Sequence, residues 1–382
     1  MKEPKIRFKE FKGEWEETTF GESVIINSGL NYKHLSDGDI PVYGTGGYML
    51  SVNQSLSEVD AIGIGRKGTI DKPQFLKAPF WTVDTLFFMT PKKGLDLHFL
   101  FALSQKTNWR KFDESTGVPS LSKINICKID IFTPKISEQQ SIASFFTSID
   151  AQISASTSRL ASLKQIKAAS LQAMFPQEGE TVPKLRFKGF DGEWERKRLN
   201  QFLIPSSTKN TDGKYNKKDV LSVSGEFGIV NQITFQGRSF AGVSVANYGV
   251  VEHDNIVYTK SPLKTNPYGI IKVNKGKAGI VSTLYAVYNC LEGTYPCFVE
   301  YYFGLDNRLN SYLRPLVRKG AKNDMKISSN DALLGEVVFP SFAEQRAIAS
   351  YFTNLDRQIT LQARRLEKLK QIKAACLDKM FV

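Results

Sequence analysis

The chain is written twice, and nothing else in it constrains the fold as strongly. "PKIRFKEFKGEWE" from Pro4 returns as "PKLRFKGFDGEWE" from Pro183, an offset of 179 that aligns Arg7 with Arg186, Phe8 with Phe187 and Trp15 with Trp194. "PKISEQQSIASFFTSIDAQI" from Pro134 returns as "PSFAEQRAIASYFTNLDRQI" from Pro340, an offset of 206, so the second half carries 27 more residues between its repeats. With two copies the pattern is a pseudo-twofold duplication and not a solenoid. Each copy reads as an opening motif, a variable region and a long uninterrupted segment.

The long segments read as helices with a seam. Ile142, Phe146, Ile149, Ile153, Ser156, Leu160, Leu163, Lys167, Ser170 and Met174 advance by alternate fours and threes, and the second copy sets Ile348, Phe352, Leu355, Ile359, Gln362, Leu366, Leu369, Lys373, Cys376 and Met380 in matching places. That is heptad spacing. Ile166, Leu171, Ile372 and Leu377 widen the apolar stripe. Ser137, just after Pro134, is the expected N-cap of the first helix. At 1.5 Å per residue a helix of about 38 residues spans about 57 Å, and one apolar stripe of that length needs a partner, for which its own copy is the nearest candidate.

Between the repeats the pattern changes to short strands. "SVIIN", "IPVYG", "DAIGIG", "DTLFFMT" and "ICKIDIF" in the first half, and "VLSVS", "NIVYT", "GIIKVN", "GIVSTLYAVYN" and "GEVVF" in the second, are β-branched or aromatic runs bounded by turn residues. One helix is expected near the end of each region, in "DLHFLFALSQKTNWRKF" and "CFVEYYFGLDNRLNSYLRPL". The order of elements agrees while the sequence has drifted, which suggests one fold bearing two different surfaces.

Composition narrows the function. Hydrophobic residues at 41% and charged residues at 23% describe a soluble globular chain. The start "MKEPKIRFKEFKGEWEE" alternates charges where a signal peptide needs an apolar run, and no membrane-length apolar segment follows, so a cytoplasmic protein is expected. Cys127, Cys290, Cys297 and Cys376 form no C-x-x-C pair and His34, His98 and His253 are scattered, so no metal site is expected. The net charge of +13 points to a polyanion. Its placement is uneven: Lys+Arg against Asp+Glu is 12 to 12 over 17–133, but 19 to 11 over 196–339 and 8 to 4 over 340–382.

Catalytic motifs fail their context tests. "GIGRKG", Gly63 to Gly68, fits the dinucleotide fingerprint G-x-G-x-x-G, yet it runs into "TIDKPQF" and opens no helix. Aligned with "DNIVYTKSP" at offset 194, "DAIGIGRKG" keeps the strand and a basic residue, Arg66 matching Lys260, and loses its glycines. "NPYG", Asn266 to Gly269, lacks the second proline of an amino-methyltransferase loop and reads as a turn. No G-x-x-x-x-G-K-[ST] phosphate loop occurs.

The paired "P-K-[IL]-R-F-K-x-F-x-G-E-W-E" openings, the "[IF]-x-E-Q-x-x-I-A-x-x-F-[ST]-x-[IL]-D-x-Q-I" helix starts and the "L-K-Q-I-K-A-A" helix bodies resemble the specificity subunit of type I restriction-modification systems. The resemblance covers essentially the whole chain. It implies an α+β fold, with two pseudo-twofold-related β-rich target-recognition domains (1–133 and 177–339) separated by two long antiparallel coiled-coil helices (134–176 and 340–382). It further implies a chain that is not itself an enzyme, reading a bipartite double-stranded DNA target and bringing two methyltransferase subunits and restriction-translocase subunits to it. No cofactor is expected in this chain; S-adenosylmethionine, ATP and Mg are expected on the partner subunits. A stand-alone DNA-binding coiled-coil protein and a self-contained methyltransferase or nuclease are the alternatives.

Base readout needs Arg, Lys, Asn or Gln at base edges, with other basic groups on phosphates. The candidates are Arg66, Lys67, Lys72 and Lys123 in the first region and Lys260, Lys264, Arg318, Lys319 and Lys322 in the second, at strand ends and loops. Tyr43, Trp81 and Tyr258 are aromatic candidates to shape these surfaces. On the helices, Leu160, Leu163, Lys164, Lys167, Leu366, Leu369, Lys370 and Lys373 lie in the near-identical stretches that the resemblance assigns to partner binding.

Overall fold

The computed structural model describes residues 3–263, 265–319 and 325–382. It is an α+β chain in two compact units: residues 1–159 with 362–382, and residues 160–361. Each unit holds one recognition region, the first part of one long helix and the last part of the other. The helices run Ile136–Ala173 and Phe342–Lys379, 38 residues each, as the absence of Pro and Gly allows. Ser137 falls inside the first turn instead of capping it; in the second helix Ser341 takes the capping place, its hydroxyl accepting from the amide of Glu344 at 3.5 Å. Among the described residues no helix is long and apolar enough to cross a membrane.

Both units are built on one antiparallel four-stranded sheet. In the first its order is Val24–Ser28, Leu86–Pro91, Ala61–Gly65, Gln74–Leu76; in the second it is Leu203–Pro205, Tyr285–Cys290, Ile256–Thr259, Ile271–Val273. A second ladder joins the opening motif to the strand that leads into the long helix. Glu16–Thr19 pairs with Asp130–Thr133 and Glu195–Arg198 with Glu336–Phe339, and the registers Glu16↔Thr133 and Glu195↔Phe339 match across the repeat. The expected strand "ICKIDIF" is only partly one, because Ile126 and Cys127 close a short helix, Lys123–Cys127. The helix expected in "CFVEYYFGLDNRLNSYLRPL" is broken in two, Pro296–Tyr302 and Asp306–Leu313.

The repeated residues are the ones that fasten each unit together. Trp15 packs edge-on to Phe99 and Phe381, and Trp194 edge-on to Phe298 and Phe175, so the same aromatic trio sits at the centre of both cores. Arg7 forms a fork with Glu138 (2.7 and 2.8 Å) while reaching the carbonyl of Gly13; Arg186 does the same with Glu344 (2.7 Å twice) and Gly192. Both glycines have positive φ, +90° and +73°, which brings their carbonyls back to the arginine. Gln139 accepts from the amide of Asp96 and donates to the carbonyl of Pro134; Gln345 accepts from Tyr295 and donates to Gly293 and Pro340. A buried amide placed this way satisfies backbone groups that would otherwise be orphaned between elements.

Within each unit the helices run antiparallel. In the first unit the Gln362 side chain donates to the Ser156 carbonyl, Lys373 pairs with Asp150 at 2.5 Å, and Phe146 meets Phe381. In the second, Lys167 pairs with Asp356 at 2.6 Å, Ser170 hydrogen-bonds Tyr351, and Phe175 stacks on Phe352. The helix ends are held by equivalent cations from the recognition regions. Lys106 donates to the carbonyls of Phe381 and Val382; Arg308 donates to that of Pro176 and lies over the rings of Phe175 and Tyr302. Burial draws the basicity of both cations below the usual lysine and arginine ranges.

Candidate nucleic-acid interface

In the first unit "GIGRKG" is a strand ending in a turn. Ala61–Gly65 is fully buried, and a Cβ at Gly65 would lie 2.0 Å from the carbonyl oxygen of Thr69, so the glycine is required by close backbone approach and not by a pyrophosphate. Arg66 and Lys67 follow, both exposed. Their amides donate to the Thr85 carbonyl, the Arg66 carbonyl accepts from Leu121, and the Gly68 amide donates to Pro119. The Arg66 side chain hangs beside the Phe87 ring, its Nη1 3.4 Å from the Asp84 carbonyl, and enters no ion pair among the described residues.

These bonds gather three loops, 44–47, 65–69 and 115–121. The third is organised by Asp113, whose carboxylate accepts from the amides of Ser120 and Ser115 and from the Ser115 hydroxyl, and is thereby held below the usual carboxylate range. The first abuts the second, since a Cβ on Gly68 would stand 3.7 Å from the Thr45 hydroxyl. The gathered surface also presents exposed Tyr48, Met49 and Val118, which sequence reasoning missed. The glycines of "GTGG" and "STGVPS" were the available signal. Lys72 is exposed next to Asp71, and Asp71 is paired with Arg110 at 2.6 Å, so Arg110 is engaged and Lys72 stays open. Lys123 opens the short helix capped by Ser122 and is exposed.

The second unit repeats the same backbone bond, the Lys260 amide donating to Leu284 as that of Arg66 does to Thr85. Lys260 is half-buried, and its basicity is drawn down first by burial and then by the neighbouring Lys209. A half-buried ammonium beside a second cation, with no carboxylate paired to it among the described residues, is a ready phosphate ligand. Arg318–Lys319 pairs with Met325–Lys326 in a two-stranded ladder, with the Arg318 side chain exposed. Lys264 and Lys322 lie outside the described residues. "NPYG" is a turn: the Gly269 amide donates to the Asn266 carbonyl, and the Asn266 side chain donates to Asp306. Of the aromatic candidates, Trp81 and Tyr258 belong to the cores, while Tyr43 packs edge-on to the exposed Tyr48 and so reaches the gathered surface.

The helix candidates separate by face. Leu366 is buried, Leu160, Leu163 and Leu369 are half-buried along the seam, and Lys167 and Lys373 are held in the two interhelical ion pairs. The eight therefore do not form one outward face. Lys164 and Lys370 do point to solvent, and beside them Ile166 and Ile372, expected to widen the buried stripe, are 47% and 40% exposed. Both copies of "LKQIKAA" thus show solvent the same lysine, glutamine and isoleucine.

Residues 12–165 match the model of the type I restriction modification DNA specificity domain. The fold is similar to the crystal structure of a type I restriction-modification system S subunit from M. genitalium, at 13% identity over 100% of this chain and 99% of that one, with a TM-score of 0.68. The HsdS subunit from Thermoanaerobacter tengcongensis matches over 96% of each chain at 15% identity and a TM-score of 0.43. Among curated protein sequences no match is found. The first half of the chain thus carries a type I restriction modification DNA specificity domain, and the second half repeats the same framework around a recognition region of its own.

Proposed function

We propose that each unit reads one half of a bipartite double-stranded DNA sequence and that the chain, itself without catalysis, brings two identical methyltransferase subunits and the restriction-translocase subunits to it. The observation that carries this reading is the contrast between what is repeated and what is not. The Arg–Glu forks, the bridging amides of Gln139 and Gln345, and the outward faces around Ile166 and Ile372 are kept, while the loops around Arg66 and Lys260 have diverged. Two equal partner sites and two unequal reading surfaces follow from that division. S-adenosylmethionine, ATP and Mg then act on the partner subunits, in the cytoplasm.

Co-purification with the cognate methyltransferase tests the partner arm. Native mass should give two methyltransferase subunits per chain, Ile166→Asp and Ile372→Asp should each remove one, and the double variant both. Retention of both by the double variant would overturn the assignment of these faces. Methylation-sensitive sequencing of host DNA tests the reading arm, where a continuous motif with no gap would contradict two readers.

A further inference from the structure

The second unit exposes three phenylalanines on one inserted segment, where the recognition region of the first exposes the ring of Tyr48. The offset between the copies grows from 179 at Trp15/Trp194 to 194 at Asp60/Asp254, so 15 extra residues enter the second recognition region in this segment. The segment holds a hairpin, Leu221–Ser224 with Gly228–Asn231, followed by a short helix, Gln232–Gln236. Phe227, Phe235 and Phe240 are 60%, 44% and 57% exposed, and Val243 is 98% exposed. Single exposed apolar residues are ordinary, but rings grouped on one turn of helix and its flanks are not.

Their exposure is built, not slack. The Phe227 amide donates to the Ser224 hydroxyl, fixing the hairpin turn, and the Phe227 and Phe235 rings meet at 5.5 Å. Gln232 accepts from the Phe240 amide at 2.7 Å, folding the loop after Gly237 back against the helix, and Gly237 has the positive φ (+76°) that this reversal needs. Arg238 stacks on the Phe240 ring at 4.6 Å. Asn231 caps the helix and ties it to the carbonyl of Lys218 at 2.7 Å, bringing the exposed Lys217 and Lys218 alongside. Neither these lysines nor Arg238 enters an ion pair among the described residues.

We propose that Phe227, Phe235 and Phe240 form a wedge that enters duplex DNA at a base step, unstacking it, while Arg238, Lys217 and Lys218 hold the flanking phosphates. The inference rests on the second unit being a DNA reader and adds a mode of reading to it. Apolar wedges between base steps pair with basic flanks because unstacking costs energy that phosphate contacts and ring–base stacking offset. The free cations around the rings select a polyanion over a protein groove. Sequence preference then comes from the ease with which a step opens, pyrimidine–purine steps being the softest, and not from base edges alone.

The test uses the full-length chain and a pool of synthetic duplexes with a randomised centre. On the enriched duplex, permanganate should mark unstacked thymines with the wild-type chain and not with the Phe227→Ala/Phe240→Ala variant, whose affinity should fall about tenfold or more with an unchanged salt slope. Arg238→Gln, which leaves the rings in place, should keep the permanganate mark and lower the salt slope by about one. If no duplex is enriched, DNA reading itself fails and the wedge with it. If a duplex is enriched but the double variant binds as wild type, or no thymine becomes reactive, the wedge alone is overturned. Loss of methyltransferase binding by the double variant, with DNA binding intact, would make the patch a protein contact and also overturn it.

Discussion

Arg186 grips Glu344 with Nε on one carboxylate oxygen and Nη2 on the other, both at 2.7 Å, and the carboxylate is almost wholly buried. The fork holds the opening motif of the second unit against the first turn of its helix. Removing one partner leaves a charge without an answer in a dry site, which costs about 3 to 5 kcal/mol. Glu344→Gln should therefore strip hydrogen-exchange protection from the second unit and leave the first unit's amides protected; Glu138→Gln should do the reverse. Arg186→Lys keeps the charge and loses the fork, so it should fall between.

The pairs Lys373–Asp150 and Lys167–Asp356 are half-exposed and sit at equivalent places in the two units. Such pairs contribute about 0.2 to 1 kcal/mol, and less in salt. A double-mutant cycle with Lys373→Ala and Asp150→Ala, read by chemical denaturation, should give a coupling in that range that shrinks at high ionic strength. The charge-swapped pair should recover most of it.

Arg66→Ala should weaken or relax recognition of one half-site and leave subunit assembly intact. Lys260→Ala, which removes a phosphate ligand, should instead weaken binding about uniformly across sequences and lower the salt slope by about one. Competition binding against duplexes altered in one half at a time separates the two. A uniform loss across sequences, with the salt slope reduced by about one, would mark the residue as a phosphate ligand.

Truncation after Leu361 removes Met380 and Phe381, which are buried in the core of the first unit, and the half-buried Cys376 and Leu377, which pack against it. Deleting buried side chains of this size costs about 2 to 5 kcal/mol each. Limited proteolysis should then digest 3–159 while residues 160–361 survive as a resistant fragment.

Much of this was legible before any coordinates. The heptad advance locates both long helices, and strands lie where β-branched or aromatic runs are bounded by turn residues, as at Ala61–Gly65 and Ile256–Thr259. What the sequence did not disclose depends on contacts between distant segments. Gln139 and Gln345 read as unremarkable helix residues until they are seen closing backbone gaps 43 and 50 residues away. Ile166 and Ile372 extend an apolar stripe on paper, yet the pairing of the helices turns them to solvent. The gathering of Thr45, Arg66 and Val118 could not be read because Gly65 and Gly68 act through backbone approach, which leaves no side-chain pattern.

The division of the helices between the units has a consequence for synthesis. The second unit, 160–361, is one continuous stretch, whereas the first needs residues 362–382 as well as 1–159. Domains ordinarily fold in the order in which the ribosome delivers them. Here the unit made first is completed last, and the place of Phe381 beside Trp15, Phe99 and Phe146 stays open until the final turns of helix emerge. During that interval the nascent chain exposes an aromatic surface that the folded protein covers.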